Sequence, residues 1–244
     1  MTLSQTSLAA AYLASTVGAY VAITPPNPMP SEKPNASKDP KHAPIRDSIH
    51  ILNITHNHIN KFVTFPLGLL SLHAAALAYT YPNIPPAILR HGAQNGLNPS
   101  LVTWSASTAV PFALIFLAGV PLRLIPFRSL GKNFTFALTK PSGLKTTGIY
   151  RYVQHPSYTG VVILVLCNLM LYARMDGVMS CWVSPERHRA LQGMELISLA
   201  VGGCMFFAGV WTRVTEEEKM LRGEFGEKWE RWHAKTARFV PWVF

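Results

Sequence analysis

Charge is scarce in this chain, and acidic charge scarcest. Of 244 residues only 14% are Asp, Glu, Lys or Arg, and 12 acidic residues face 22 basic ones, for a formal net charge of +10. Cysteine is scarce too. Cys167, Cys181 and Cys204 form no C-x-x-C pair, so neither a disulfide framework nor a zinc site is indicated. No Gly-x-Gly-x-x-Gly follows a strand-like run, which removes the signature of a soluble dinucleotide-binding fold. No nucleic-acid motif accompanies the basic balance. The basic residues instead flank apolar runs, a distribution that orients membrane segments.

Apolar side chains are abundant. Hydrophobic residues make up 49% of the chain and gather in runs near the roughly 20 residues needed to cross a bilayer. Five such runs are read as membrane helices: Ser7 to Ile23, Phe62 to Tyr81, Leu101 to Ile125, Thr159 to Ala173 and Leu196 to Trp211. The fold class is therefore all-α, a multi-pass transmembrane bundle of about five helices. Met1 to Thr6 carries no Lys or Arg, so the first run lacks the positive region of a signal peptide and is read as a membrane helix. Pro111 is expected to kink the third run. The fourth run is short for a span unless it starts at Tyr158 or the bilayer is thin there. Gly202, Gly203 and Gly209 are expected to bring the fifth helix close to its neighbours.

Two divisions of the chain are drawn. Residues 1–125 hold three helices and a linker, 24–48, in which seven prolines mix with Lys, Asp, Asn and Ser; such a segment stays extended and solvated. Residues 126–244 hold the last two helices and the polar clusters. Among His50, His56 and His58, the last two are only two apart and so fall on different faces of a helix; they read as interfacial histidines, with no metal site.

Lys plus Arg in the successive non-membrane segments number 4 (24–48), 1 (82–100), 6 (123–158), 3 (174–194) and 7 (213–244). The high counts alternate with the low ones, which puts 24–48, 123–158 and the C-terminus together on the cytosolic side. The two polar clusters then share a compartment.

The first cluster is Gly148-Ile-Tyr-Arg-Tyr-Val-Gln-His-Pro-Ser-Tyr-Thr-Gly160. Pro156 lacks a backbone donor and biases His155 towards an extended conformation, so His155 and Tyr158 are presented where a helix begins. An interfacial belt of aromatic and basic residues is the alternative reading. The second cluster follows the fifth run: Arg213-Val-Thr-Glu-Glu-Glu-Lys, then Phe225-Gly226-Glu-Lys-Trp229. Thr215 with Glu218 resembles a capping box and favours a helix boundary there. A helix running straight through would instead set Arg213 and Glu217 on one face. Most charges in 216–231 read as a solvated surface. Arg213 and Glu217 stand apart because an ionisable group at the membrane boundary is costly unless paired or functional. The aromatic end, Arg238 to Phe244, is expected to fold back on the membrane surface or cap the site.

Together these clusters resemble the isoprenylcysteine carboxyl methyltransferase family of integral membrane enzymes. The likeness rests on Gly148-Ile-Tyr-x-x-x-x-His-Pro-Ser-Tyr-x-Gly160, a membrane run, Arg213 with Glu216–Glu218, Phe225-Gly226-Glu-x-Trp229 and Pro241, and it covers about residues 128–244. It implies methylation of a C-terminal prenylcysteine carboxylate by S-adenosylmethionine, in the endoplasmic reticulum membrane with a cytosolic C-terminus. Prenylated CaaX-type proteins or prenylcysteine-like lipophilic molecules, entering from the bilayer, would be the substrates. Carried over by motif, cofactor contacts fall on Ser142, Gly143, Leu144, Lys145, Tyr150, His155, Pro156, Ser157, Tyr158 and Glu217. The arginine that takes the substrate carboxylate falls on Arg213. Where the family has Arg before His-Pro this chain has Gln154, and Arg151 is the neighbouring substitute; both are counted with the substrate contacts. The same C-terminal pattern is similar to membrane sterol reductases, which use NADPH. A phospholipid or other lipophilic methyltransferase and a catalytically inactive scaffold are further alternatives.

Overall fold

The computed structural model describes residues 2–27, 48, 59–136 and 138–241. Most of the proline-rich linker, and His50, His56 and His58, lie outside the described residues. Five helices are long and apolar enough to cross a membrane: α1 (Leu3–Ile23), α2 (Ile59–Thr80), α3 (Pro99–Asn133), α4 (Pro156–Ala173) and α5 (Met194–Phe225). A short helix α6 (Glu227–His233) follows. No strand occurs among the described residues, and the chain is an all-α multi-pass bundle.

Apolar length makes these segments helical, and a few polar groups set how they pack. Thr2 and Gln5 form a reciprocal capping box that starts α1, satisfying amides that a helix N-terminus leaves open. Tyr12 of α1 is the hub of the core. Its ring meets Phe112 edge-on at 5.0 Å, its hydroxyl donates to the Leu101 carbonyl at 2.5 Å, and its carbonyl accepts from Ser71 of α2 at 2.9 Å. Small residues Ala74, Ala75 and Ala78 of α2 are buried around it, letting backbones approach where no hydrophobic gain separates protein from lipid.

α3 is not a uniform helix. It runs on through Pro111, and the break in its ladder comes just after, in a π turn over Ile115–Gly119. There the Val120 N–H reaches back to the Ile115 carbonyl. Pro121 has no N–H to offer the carbonyl four residues before it, so the ladder slips to the longer reach. The turn sets Gly119 against Gly160 of α4. A Cβ on Gly160 would lie 2.9 Å from the Gly119 carbonyl oxygen and 3.1 Å from the Arg123 nitrogen. The two helices therefore cross at backbone contact, and only glycine fits.

α4 begins at Pro156, three residues ahead of the apolar run, and closes in a π turn at Leu169–Ala173; 18 residues make up the span. α5 decides between two readings of the sequence and corrects a third. It continues unbroken for 32 residues, about 48 Å at ~1.5 Å per residue, so no boundary falls at Thr215; that hydroxyl donates to the Thr212 carbonyl within the helix. Nothing lies within 4 Å of a Cβ placed on Gly202, Gly203 or Gly209. The upper part of α5 instead exposes Leu196, Ile197, Val201, Met205 and Phe207, as a lipid-facing helix does.

The loops pair as the charge pattern requires. Asn98 and Asp176, from the two lysine- and arginine-poor loops, bond at 2.9 Å, while Asn95 donates to the Ser180 and Val183 carbonyls at 2.8 Å. Residues 134–158 gather with the C-terminal tail at the opposite end.

Candidate active site

At that opposite end, between the foot of α4, the lower half of α5 and the 134–145 loop, lies a cavity of about 440 Å³. Its polar wall is built from the two clusters. A 3-10 turn at Gly148–Arg151, entered through Gly148 at φ +66°, buries Tyr150. The chain then turns again, and Pro156 starts α4 with His155 as the preceding cap residue.

The straight course of α5 places Arg213 and Glu217 one turn apart, and the Tyr158 phenol joins them. Arg213 Nε donates to the Tyr158 hydroxyl at 3.3 Å, and that hydroxyl donates to Glu217 Oε2 at 2.9 Å. A second Arg213 nitrogen donates to the Phe136 carbonyl. Glu218, the next residue along, points elsewhere: His155 Nε2 lies 3.3 Å from Glu218 Oε1. Arg238 grips both carboxylate oxygens of Glu218 at 2.9 and 3.0 Å, the fork geometry of a strong charge-assisted pair. Burial raises the Tyr150 hydroxyl above its ordinary value, with the Glu217 charge adding to the effect, so Tyr150 stays a neutral donor.

The tail seals this wall. Gln154 Nε2 donates to the His233 and Thr236 carbonyls and to the Thr236 hydroxyl at 3.2, 2.7 and 3.0 Å. Its Oε1 is then the acceptor for His233 Nδ1–H at 2.8 Å. The Gln154 and His155 amides donate to the Ala237 and Arg238 carbonyls at 2.8 and 2.9 Å, and Ala237 N returns a bond to Tyr152. Thr159 donates to the Phe239 carbonyl at 2.9 Å. The expected return of the chain end is thus a cap on the site as far as Pro241; residues 242–244 lie outside the described residues.

The other wall is apolar: Val161 from α4, and Met205, Phe206, Gly209 and Val210 from α5. Gly143, Leu144, Lys145, Tyr150, Gln154, His155, Pro156, Ser157, Tyr158, Arg213 and Glu217 all line the cavity. Ser142 does not; it bonds Asn133 through its hydroxyl at 3.1 Å and braces the loop. Arg151 lies in a separate groove with Tyr152, because the Gly148–Arg151 turn sends it away from Tyr150.

Sequence reasoning missed three charges at this site: Arg123, which lines the cavity, and Glu218 and Arg238, which pair behind His155. Arg123 falls where the third apolar run and the following basic segment overlap. It lies inside α3, where Nε donates to the Ala22 carbonyl at 2.9 Å and NH1 donates to Ser157. Its guanidinium sits 4.9 Å from the Phe127 ring centre and 5.1 Å from that of Phe136. The last-turn carbonyl of α1 and the aromatic faces together offset a buried cation. One signal was available: Arg123 is embedded in an apolar run, where a charge is costly without partners.

Residues 112–185 match the isoprenylcysteine carboxyl methyltransferase family model. The match takes in the Gly119–Gly160 crossing, the 134–145 loop and the His155-Pro-Ser-Tyr158 element. It ends before Arg213, Glu217 and the tail. The chain is thus similar, over its third and fourth spans, to a family of membrane methyltransferases, the one its motifs resemble. No curated protein and no solved structure matches the chain.

Proposed function

We propose that this chain is an S-adenosylmethionine-dependent protein-S-isoprenylcysteine O-methyltransferase, working in the endoplasmic reticulum membrane with its C-terminus in the cytosol. The observation that carries the reading is the two-sided lining of one cavity. Charged and phenolic groups form one wall, bilayer-depth apolar side chains the other, and Arg213 stands between them. The acceptor has the same composition, a carboxylate joined to a lipid chain. On this reading 126–244 carries the reaction and the first three helices support it, chiefly through Arg123.

The residues present fit the cofactor. A volume of about 440 Å³ falls in the usual range of roughly 300–1,000 Å³ for small-molecule sites. Glu217 supplies a carboxylate for an ammonium or ribose hydroxyls, Tyr150 and Tyr158 supply aromatic surface for a sulfonium, and Lys145 supplies a cation. Bound there, S-adenosylmethionine supplies an electrophilic methyl group. The acceptor needs no general base, because a carboxylate with a reference pKa near 3.5 is ionised at neutral pH. The work left to the protein is alignment and exclusion of water. Arg213, pinned by Tyr158 and Phe136, presents a planar fork that grips a carboxylate without donating a proton to it. Its fixed cation disfavours an amine acceptor, so the phospholipid reading is the weaker one.

The test is methyl transfer from radiolabelled S-adenosylmethionine to N-acetyl-S-farnesylcysteine by purified protein in lipid. Base-labile label on the analogue is the expected result. Cofactor binding without label on that acceptor would overturn the prenylcysteine assignment; no cofactor binding would overturn the methyltransferase reading as well.

A further inference from the structure

Behind the capped wall of the cavity is a second concavity, of about 500 Å³, lined among others by Arg151, Tyr152, Gln154, Lys235, Arg238 and Pro241. Three cations face it, and no Asp or Glu belongs to its lining. Arg238 is neutralised by Glu218. Arg151 and Lys235 are exposed, and neither enters an ion pair among the described residues. A chain this poor in acidic residues leaves two unbalanced cations in one groove, and the fold put them there: the turn at Gly148–Arg151 and the turn after α6 are joined side by side by the Val153–Ala237 bridge.

The groove's depth relative to the bilayer follows from its neighbours. α4 starts at Pro156 and turns apolar three residues later, so residues 151–154 and the tail bonded to them lie at the membrane surface. Tyr152, 53% exposed, and Trp211, 52% exposed, flank the groove as interfacial aromatics do. The Arg238 guanidinium lies 5.5 Å from the Trp211 ring centre. Headgroup phosphates occupy this level.

We propose that this groove binds the phosphate of an anionic phospholipid headgroup, with Arg151 and Lys235 as its cationic contacts. The site is independent of the methyl-transfer reaction. It is nonetheless joined to the cavity, because Gln154 lines both and Arg238 reaches His155 through Glu218. A headgroup held between residue 151 and residue 235 ties the tail to the foot of α4 and so stiffens the cavity's capped wall.

The full chain, purified in neutral detergent, is titrated with dioctanoyl phosphatidic acid and, separately, with dioctanoyl phosphatidylcholine and inorganic phosphate. Tryptophan fluorescence reports binding, since Trp232 donates to the Tyr150 carbonyl at 2.7 Å beside the groove. Phosphatidic acid is expected to bind more tightly than phosphatidylcholine, and more weakly as salt rises. At about 1 kcal/mol per surface cation, Arg151→Gln or Lys235→Gln lowers that affinity about fivefold and the double variant about 25-fold. Both side chains are exposed, so unchanged thermal melting of the variants is the folding control. Equal binding of the two lipids, or a double variant that binds phosphatidic acid normally, would overturn the proposal. Inorganic phosphate binding as tightly as phosphatidic acid would overturn the lipid assignment and leave a free-phosphate site.

Discussion

Tyr158 carries more than its sequence context indicates. One phenol holds both the cation and the carboxylate of α5, so removing its hydroxyl loosens two groups together. Tyr158→Phe is expected to slow methyl transfer at least about 10-fold, the lower end for losing even one of its two hydrogen bonds to charged groups, with normal folding by near-UV circular dichroism. Arg213→Ala should abolish transfer yet leave S-adenosylmethionine binding intact, whereas Glu217→Ala should weaken that binding itself; calorimetric titration with the cofactor separates the two. Wild-type turnover in both variants would refute the site assignment. Arg213→Lys keeps the charge and loses the fork, and is expected to recover only part of the rate.

At the scale of elements, the α3–α4 crossing and the tail make different demands. Gly160→Ala drives a methyl group into the Gly119 carbonyl at 2.9 Å. Overpacking of this kind costs about 1–3 kcal/mol, and a lowered thermal midpoint in lipid is the expected readout, larger than for Gly202→Ala on the open face of α5. The tail is held mainly by Gln154. Gln154→Ala removes its side-chain bonds and is expected to raise amide hydrogen exchange across 235–239 at least about tenfold. Tail protection should also depend on pH through His233. Burial lowers its pKa below the ordinary 6.5, so the folded state binds the proton less readily than the unfolded one. The stabilisation is complete above 6.5 and is lost as pH falls through the lowered value. Protection at 235–239 that stayed flat from pH 7.5 to 5 would contradict this.

For the molecule as a whole, the charge asymmetry and the packing agree. The segments 123–158 and 213–244 carry six and seven Lys and Arg, and they meet in one site. The poorer segments 82–100 and 174–194 meet at the other end, where Arg174 pairs with Asp176 at 2.7 Å and Asp176 receives Asn98. Hydrogen bonds from Arg174 hold the Asp176 carboxyl below its usual range, so this cap tolerates mild acid and weakens only when pH falls through that lowered value. In a cysteine-free chain, Lys145→Cys and Lys235→Cys should be labelled by an impermeant maleimide from one side of sealed vesicles and Arg187→Cys from the other. Labelling of all three from one side would break the five-span topology.

Much of this architecture is local and was therefore legible in the residues alone. The spans follow from apolar length, the gathering of the two arginine- and lysine-rich segments at one end from their charge counts, and the nearness of Arg213 and Glu217 from the 3.6-residue period of an unbroken helix. The His155-Pro-Ser-Tyr158 element and the later Glu run marked both halves of the cavity for the same reason: each is contiguous. What the consecutive glutamates do was decided only by the tertiary structure. Successive residues on a helix point about 100° apart, so each meets a different distant segment. Glu216 accepts from the Ser48 amide at 3.1 Å, Glu217 from Tyr158 and Glu218 from Arg238. The same holds for Gln154, whose partners lie some eighty positions away, and for Arg123, whose acceptors come from α1 and α4. Periodicity fixes the direction in which a side chain leaves its own helix; the group it finds there is set by how the other helices pack.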